Sequence, residues 1–391
     1  MDFIVVLLSV ALGFLFIQSF KNKLEAIHLA TLRKLFLYHI FFGLYNYFFL
    51  GSDPIRYWAL AKNISFQEFL IYCTEKSGTY FMLALDYYPS QILGLSYFTG
   101  TMMYTTIGFI AIAYFYIVAL ELVPYNSKFR GYHLFPLLFF LPNLHLWSCT
   151  AGKDTISFFC GAIFCYGVLK PYSRVLFIIA AIAFSYAVRP HVALFLVMGY
   201  GMGFALSSKV TSFQRVVFAV VLIAAAFFIL PSVMDYAKIE ETSLESFNEF
   251  STEKAGLLSR STVGSRIDIS SYPLPLKLFT FLYRPLFFDI NGIPALFASI
   301  ENLFLLVLTI RVFKNKPIET FKKAPMAIKG MVIYLIVGTF AFSQTLGNLG
   351  IIIRMRNMFL PGLLIFFLWS FSCQRERSMK KNNNSKPVPQ T

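Results

Sequence analysis

The sequence predicts an all-α, polytopic integral membrane protein with about eleven transmembrane helices, its N-terminus outside and its C-terminus cytoplasmic. Three observations carry this. Of 391 residues, 57% are hydrophobic and only 14% charged, against roughly 25% charged in soluble domains. Apolar runs recur from end to end, and a helix needs about 20 residues to cross a bilayer core of about 30 Å. The runs show no period-two alternation, so helices rather than barrel strands are expected to satisfy the backbone in lipid.

The spans are expected at 3–19, 35–51, 99–122, 134–147, 155–170, 175–188, 191–207, 215–232, 293–311, 328–344 and 357–372. The fourth and sixth are short and compatible with tilted or re-entrant helices. The first follows Asp2, lacks a basic leader and a small-residue cleavage site, and precedes Lys21 and Lys23, which reads as a retained anchor. With the N-terminus outside, the inner connections hold 21 of the 34 Lys and Arg residues, as the positive-inside rule requires. The net charge of +15 is then mostly a topology signal. With no soluble domain to hold a basic groove, it argues against a nucleic-acid partner.

Residues 1–372 read as a single membrane domain with two long outer segments, 52–98 and 233–292, and 373–391 as a polar cytoplasmic tail. The first segment mixes aromatics with charges, as helices lying in the membrane interface do. The second reads equally as a mobile lid with a Ser/Gly/Thr break near 259–265 or as a solvated loop. The end of the tail, "KKNNNSKPVPQT", is expected to be disordered. No solenoid repeat or inverted-repeat pair is visible. Cys73, Cys149, Cys160, Cys165 and Cys373 make no metal-ligand spacing and read as small apolar fillers; no metal and no cofactor is expected.

Five outer cations are not explained by solvation or topology. Lys153, Arg189, Arg284, Arg354 and Arg356 lie within a few residues of the outer end of a span, where a charge is costly unless paired or facing a wet cavity. The planar fork of arginine matches phosphate oxygens in a bidentate way. In a membrane the fitting anion is the diphosphate of a polyprenyl-linked glycan, with its tail in the bilayer. The plainer alternative is that each cation snorkels to head groups or pairs with an acid.

The local contexts refine this. In "AGKDTISFF", Asp154 reads better as a helix N-cap than as a base, which leaves Lys153 as the ligand contact. In "VRPH", Pro190 suits a helix start and puts Arg189 and His191 at its positive end; His191 is either a proton shuttle or an ordinary interface residue. "YRPLFFDINGIPALFASIEN" supplies Arg284, Asp289 and, inside a span, Glu301, an acid that must be paired or protonated there. In "GNLGIIIRMRN" a tight turn beside Asn348 precedes Arg354 and Arg356. Being two apart, these would face different ways on a helix, so sharing a ligand requires an extended or broken segment. Asp53, before Pro54 at the outer boundary, reads as a helix cap or as a catalytic carboxylate.

These stretches resemble, in order along nearly the whole chain, the bacterial O-antigen and exopolysaccharide repeat-unit polymerases (Wzy/EpsG-like), which are related in architecture to GT-C membrane glycosyltransferases. "GSDPIRYW" is similar to the G-[ST]-D-x-x-x-Y element; "LPNLHLWSCTAGKD" with "VRPH" to the P…[FW]-x-S-x-x-x-K-[DE] and RPH elements; "YRPLFFD" with "SIEN" to RPF-x-[WF]-[ED] and S-x-E; and "GNLGIIIRMRNMFLP" to G-N-x-G-x-x-x-R-x-R-x-x-x-x-P. Asp289 stands where that pattern more often has glutamate.

The resemblance implies a metal-independent glycosyltransferase joining polyprenyl-diphosphate-linked repeat units on the outer face of the cytoplasmic membrane, alongside other polysaccharide-assembly proteins. Lys153, Arg189, Arg284, Asn348, Arg354 and Arg356 would bind substrate, and Asp53, His191 or Asp289 would act as base. A GT-C enzyme using a polyprenyl-monophosphate sugar, a flippase of lipid-linked glycans and a purely structural assembly protein are the other readings.

Overall fold

The computed structural model describes residues 1–50, 53–207, 211–237, 265–269 and 271–384. It is overwhelmingly helical, with a single two-stranded ribbon among the described residues. Three helices, Tyr97–Leu122, Ile293–Phe313 and Met326–Thr345, are long and apolar enough to cross a membrane, and a pair bent by 60°, Leu349–Arg356 with Leu360–Lys380, makes a fourth if it counts as one span. Large apolar side chains such as Phe3, Leu176, Phe227 and Phe313 lie on the outside, as a surface facing lipid would have them.

Helix α1 (Asp2–Gln18) and α6 (Tyr97–Leu122) start at the same end, because the Asp2 carboxylate accepts hydrogen bonds from the Ser96 N–H (2.8 Å) and the hydroxyls of Ser96 and Thr99. Helix α2 (Ala26–Phe49) begins well before the expected span at 35. The first outer segment folds as three short helices, α3 (Asp53–Ala61), α4 (Phe66–Thr74) and α5 (Thr79–Tyr87), the last continuing into a π-turn over Tyr88–Ile92. Helix α4 is set by a reciprocal capping box: the Ser65 hydroxyl accepts the Glu68 N–H while Glu68 accepts the Ser65 N–H. The Ser65 N–H and then the Ser65 hydroxyl, both donating to it, hold the Glu68 carboxyl below its usual value. Trp58 packs against α6, where a Cβ on Gly100 would come within 2.5 Å of its ring, and its indole N–H donates to the Leu95 carbonyl at 3.1 Å. That contact docks α3 on the core.

The expected span 134–147 is not one helix. It breaks into α7 (Leu134–Leu137), a 3-10 turn (Leu138–Phe140) and α8 (Pro142–Leu146). Proline supplies the reason: Pro136 and Pro142 lack the N–H that a continuous helix needs. The chain then runs through α9 (Lys153–Leu169), α10 (Val175–Val188), α11 (Pro190–Ala205) and α12 (Ser212–Ala237).

Of the second outer segment, residues 238–264, including most of the expected lid, lie outside the described residues. Its end carries a helix that its polar character did not announce, α13 (Leu274–Tyr283), and a 3-10 turn at Phe287–Asp289. Helices α14 (Ile293–Phe313), α15 (Pro317–Lys323), α16 (Met326–Thr345), α17 (Leu349–Arg356) and α18 (Leu360–Asn384) complete the chain. The tail differs from expectation as far as Asn384, where α18 continues as helix. Lys380 pairs with Glu376 one turn back at 2.6 Å, and Arg377 reaches Glu319 on α15 at 3.4 Å. Residues 385–391 lie outside the described residues. Four of the five cysteines are buried and all are free.

Candidate functional site

Five separated stretches of chain meet at one place. Helix α9 begins after Gly152, whose Cβ position would lie 3.1 Å from Pro54 of α3, so the absent side chain lets the start of α3 close on the start of α9. Gly78, with φ +70°, a conformation glycine adopts freely, starts α5 and donates its N–H to the Ala187 carbonyl of α10 at 2.8 Å. Arg189 is the extended residue between α10 and α11, with φ −151° and ψ 91°, and Pro190 then starts α11. Arg354 lies in the last turn of α17.

The centre of this group is Asp154. Its Oδ1 accepts from Arg189 Nη2 at 2.5 Å and its Oδ2 accepts from Arg354 Nε, and its side chain is 5% exposed. The preferred reading of Asp154 as an N-cap is therefore corrected: Gly152 is the cap residue and no side-chain cap bond forms. The carboxylate turns instead to two guanidinium groups, since a buried arginine without a counter-charge costs far more than an uncapped amide. Arg189 also donates from Nη1 to the Met358 sulfur at 3.0 Å. Arg354 reaches Asp53, its Nη1 3.4 Å from Asp53 Oδ2, and among the described residues its Nη2 has no acceptor.

Lys153 completes the group. Its Nζ donates to the Thr79 hydroxyl at 2.8 Å and stands 5.6 Å from the centre of the Tyr57 ring. Two residues ahead of the apolar run at 155, its pKa is drawn down from 10.5 to about 8, by burial first and by neighbouring Arg189 next. The Tyr57 hydroxyl is pushed up, by burial and then by Asp53. Three cations thus meet two carboxylates, beside the positive N-terminal ends of α9 and α11. The exposed member is Asp53, whose side chain is 61% accessible against 20% for Arg354. The arrangement offers an anion a lysine and an arginine edge, with an accessible carboxylate beside them.

The other expected site residues lie elsewhere. Arg356, two residues after Arg354 on the same helix, turns to the opposite side and is enclosed at 1% exposure, donating to the Leu282 carbonyl and to Asn302. The helical form of α17 is the reason, as the two-residue spacing implied. Arg284 and Asp289 grip one another, with Arg284 Nε donating to Asp289 Oδ2 at 3.0 Å, and Asp289 also accepts the Leu286 N–H at 2.8 Å; this reads as a clasp on their own turn. Asn348 caps α17, accepting from the N–H groups of Gly350 (2.9 Å) and Ile351 (3.2 Å). His191 packs its ring near Phe195 (5.9 Å) and Phe342 (5.6 Å). Tyr57, Thr79 and Met358 join the site without having been singled out. The four-residue helical spacing from Asp53 to Tyr57 in "DPIRYW" is the signal that could have found Tyr57. Among the described residues no three His, Cys, Asp or Glu side chains assemble as a metal site. No family model, no curated protein and no solved structure matches this chain.

Proposed function

We propose that this chain is an integral-membrane glycosyltransferase of the polysaccharide polymerase type. In this reading eleven spans, with the N-terminus outside and the C-terminus cytoplasmic, sit in the bacterial cytoplasmic membrane. The site at the start of α3, α9 and α11 faces outward and joins polyprenyl-diphosphate-linked oligosaccharide repeat units. The acceptor hydroxyl attacks the anomeric carbon of the donor glycan. The bond from that carbon to the phosphate oxygen breaks, the diphosphate leaves with the electron pair, and Asp53 takes the hydroxyl proton.

Arg354 and Lys153 meet the charge that builds on the departing diphosphate. Asp154 holds the forks of Arg189 and Arg354 in place, so little reorganisation is needed when charge appears. The observation that carries the reading is the meeting of Asp53 with Arg354 at 3.4 Å, next to Lys153, from parts of the chain far apart in sequence. A carboxylate accessible to an acceptor therefore stands beside donors suited to a phosphate.

One feature favours a second reading. Asp154 already engages both arginines, which leaves fewer free donors than a diphosphate can use and suits a polyprenyl-monophosphate donor transferring single sugars. The experiment that decides is reconstitution in liposomes with a lipid-linked repeat unit. Polymerisation lengthens the glycan, a monophosphate-sugar enzyme adds one residue from its own donor, and a flippase moves lipid without lengthening anything. Arg354→Ala should abolish lengthening while the protein keeps its melting transition; a variant that still lengthens glycans removes the proposal.

A further inference from the structure

Behind the site, on the other side of α17, lie an acid and a cation that the proposed reaction does not use. Glu301 is 3% exposed and Arg356 1%. Enclosed charges of this kind persist only where neighbouring groups hold them. Arg356, the last residue of α17, donates from Nη1 to the Leu282 carbonyl of α13 at 2.5 Å and from Nη2 to Asn302 Oδ1 of α14 at 2.6 Å. Asn302 passes the link on, donating to the Pro285 carbonyl at 2.8 Å. Glu301, the preceding residue of α14, accepts the N–H of Asn143 at the start of α8 at 2.9 Å. Asn357, which follows Arg356, donates to the Leu144 carbonyl of α8 at 3.4 Å. Among the described residues Glu301 and Arg356 form no direct ion pair; Asn302, beside Glu301 on α14, makes the link to Arg356. Helices α8, α14 and α17 are therefore tied at one point.

Two arms of the site leave from that point. Helix α17 carries Arg354 on the face opposite Arg356, and the short turn after α8 leads directly to Lys153 and Asp154. We infer that Glu301 and Arg356 are positioning residues: a buried acid on α14 and a buried cation on α17, joined through Asn302, that fix α8 and α17 relative to each other, and through them the placing of Arg354 against Asp154 and Asp53. Three polar atoms at the same junction, Glu301 Oε1, Asn143 Nδ2 and Asn357 Oδ1, have no protein partner among the described residues, so the direct bonds named above carry the placement. Its kinetic consequence rests on the proposed reaction; its geometric part does not.

The test uses the full chain in lipid nanodiscs with Glu301→Gln, Arg356→Lys and the double variant. It reads amide exchange of segments 142–154 and 349–357, the melting temperature, and kcat and KM for glycan extension. Each single variant should speed exchange in both segments about tenfold, with the other helices unchanged, and lower kcat about tenfold while KM stays within about twofold. The double variant should lose less than the product of the singles, because both substitutions loosen the same junction. Unchanged exchange in the two segments overturns the inference. So does faster exchange across all helices with a matching drop in melting temperature, which would make the two residues general stabilisers. If the unsubstituted protein extends no glycan while the variants loosen only those two segments, the proposed reaction falls and the positioning role stands.

Discussion

Arg354 Nη1 lies 3.4 Å from Asp53 Oδ2, joining two side chains 301 residues apart in the chain. Because Asp53 is 61% exposed, the pair is worth little to stability, about 0–1 kcal/mol for such a bridge. Its value is in placing an accessible carboxylate beside a cation. Asp53→Asn keeps the shape and removes the proposed base, so glycan extension should fall by about a hundredfold or more. The melting temperature should move by no more than about 3 °C. A steady-state assay beside a thermal melt checks both, and an undiminished rate would dismiss Asp53 as the base.

Asp154 is the opposite case, since two guanidinium groups close on a carboxylate that is 5% exposed. Asp154→Ala leaves both cations facing each other without the buried carboxylate that joins them, a cost of about 3–5 kcal/mol for breaking such a buried pair. The melting temperature should drop steeply. Inorganic diphosphate should restore part of it, because an anion that binds only the folded state stabilises it by mass action. Thermal melts with and without millimolar diphosphate decide this; a loss that diphosphate leaves untouched would mean the arginines do not form an anion site.

The helical character was legible because it is written in long apolar runs, and most of the expected spans coincide with a helix. Breaks inside such runs were less so. Residues 134–147 have the composition of a span, but Pro136 and Pro142 divide them. Helix α13 was hidden because its ten residues are too few to cross a bilayer and follow a polar stretch. In the site, the sequence picked out Lys153, Arg189, Arg354 and Asp53 as unusual charges at helix ends, and these meet. It could not show that Asp154 is what they meet around, because a carboxylate in a first helical turn fits capping equally well. Nor could it separate Arg354 from Arg356 without the helical phase of α17, which sends one to the site and the other into the interior.

Lys153 supplies a pH dependence. Burial and then Arg189 lower its pKa from 10.5 to about 8, so the lysine is charged below that value and neutral above it. Binding of inorganic diphosphate should weaken about tenfold between pH 7 and pH 9 if the site requires the charged lysine. Stability responds with the opposite sign: between about pH 8 and 10.5 the unfolded chain holds the extra proton, so this group makes the folded state more stable as pH rises. Isothermal titration across that range tests the first effect, and Lys153→Arg should flatten it. An equally steep profile in that variant would assign the titration to another group.

The placing of Arg189 depends on how closely α11 approaches α16. A Cβ on Gly199 would lie 2.7 Å from the Tyr334 nitrogen, and one on Gly203 2.6 Å from the Gly330 nitrogen. Small residues four apart allow two helix backbones to touch in this way. Here the neighbour is backbone, which cannot swing aside, so Gly199→Ala and Gly203→Ala should each cost about 1–3 kcal/mol through overpacking. Gly161 on α9 provides the contrast, because its Cβ position meets nothing nearer than a Phe115 ring atom at 3.8 Å. There alanine gains helix propensity without a clash, so Gly161→Ala should stabilise by about 0.5–1 kcal/mol. Thermal melts of the three variants in one detergent give the ranking. Equal effects at positions 161 and 203 would mean that α11 and α16 do not pack at the distance described, and Arg189 would lose its fixed approach to Asp154.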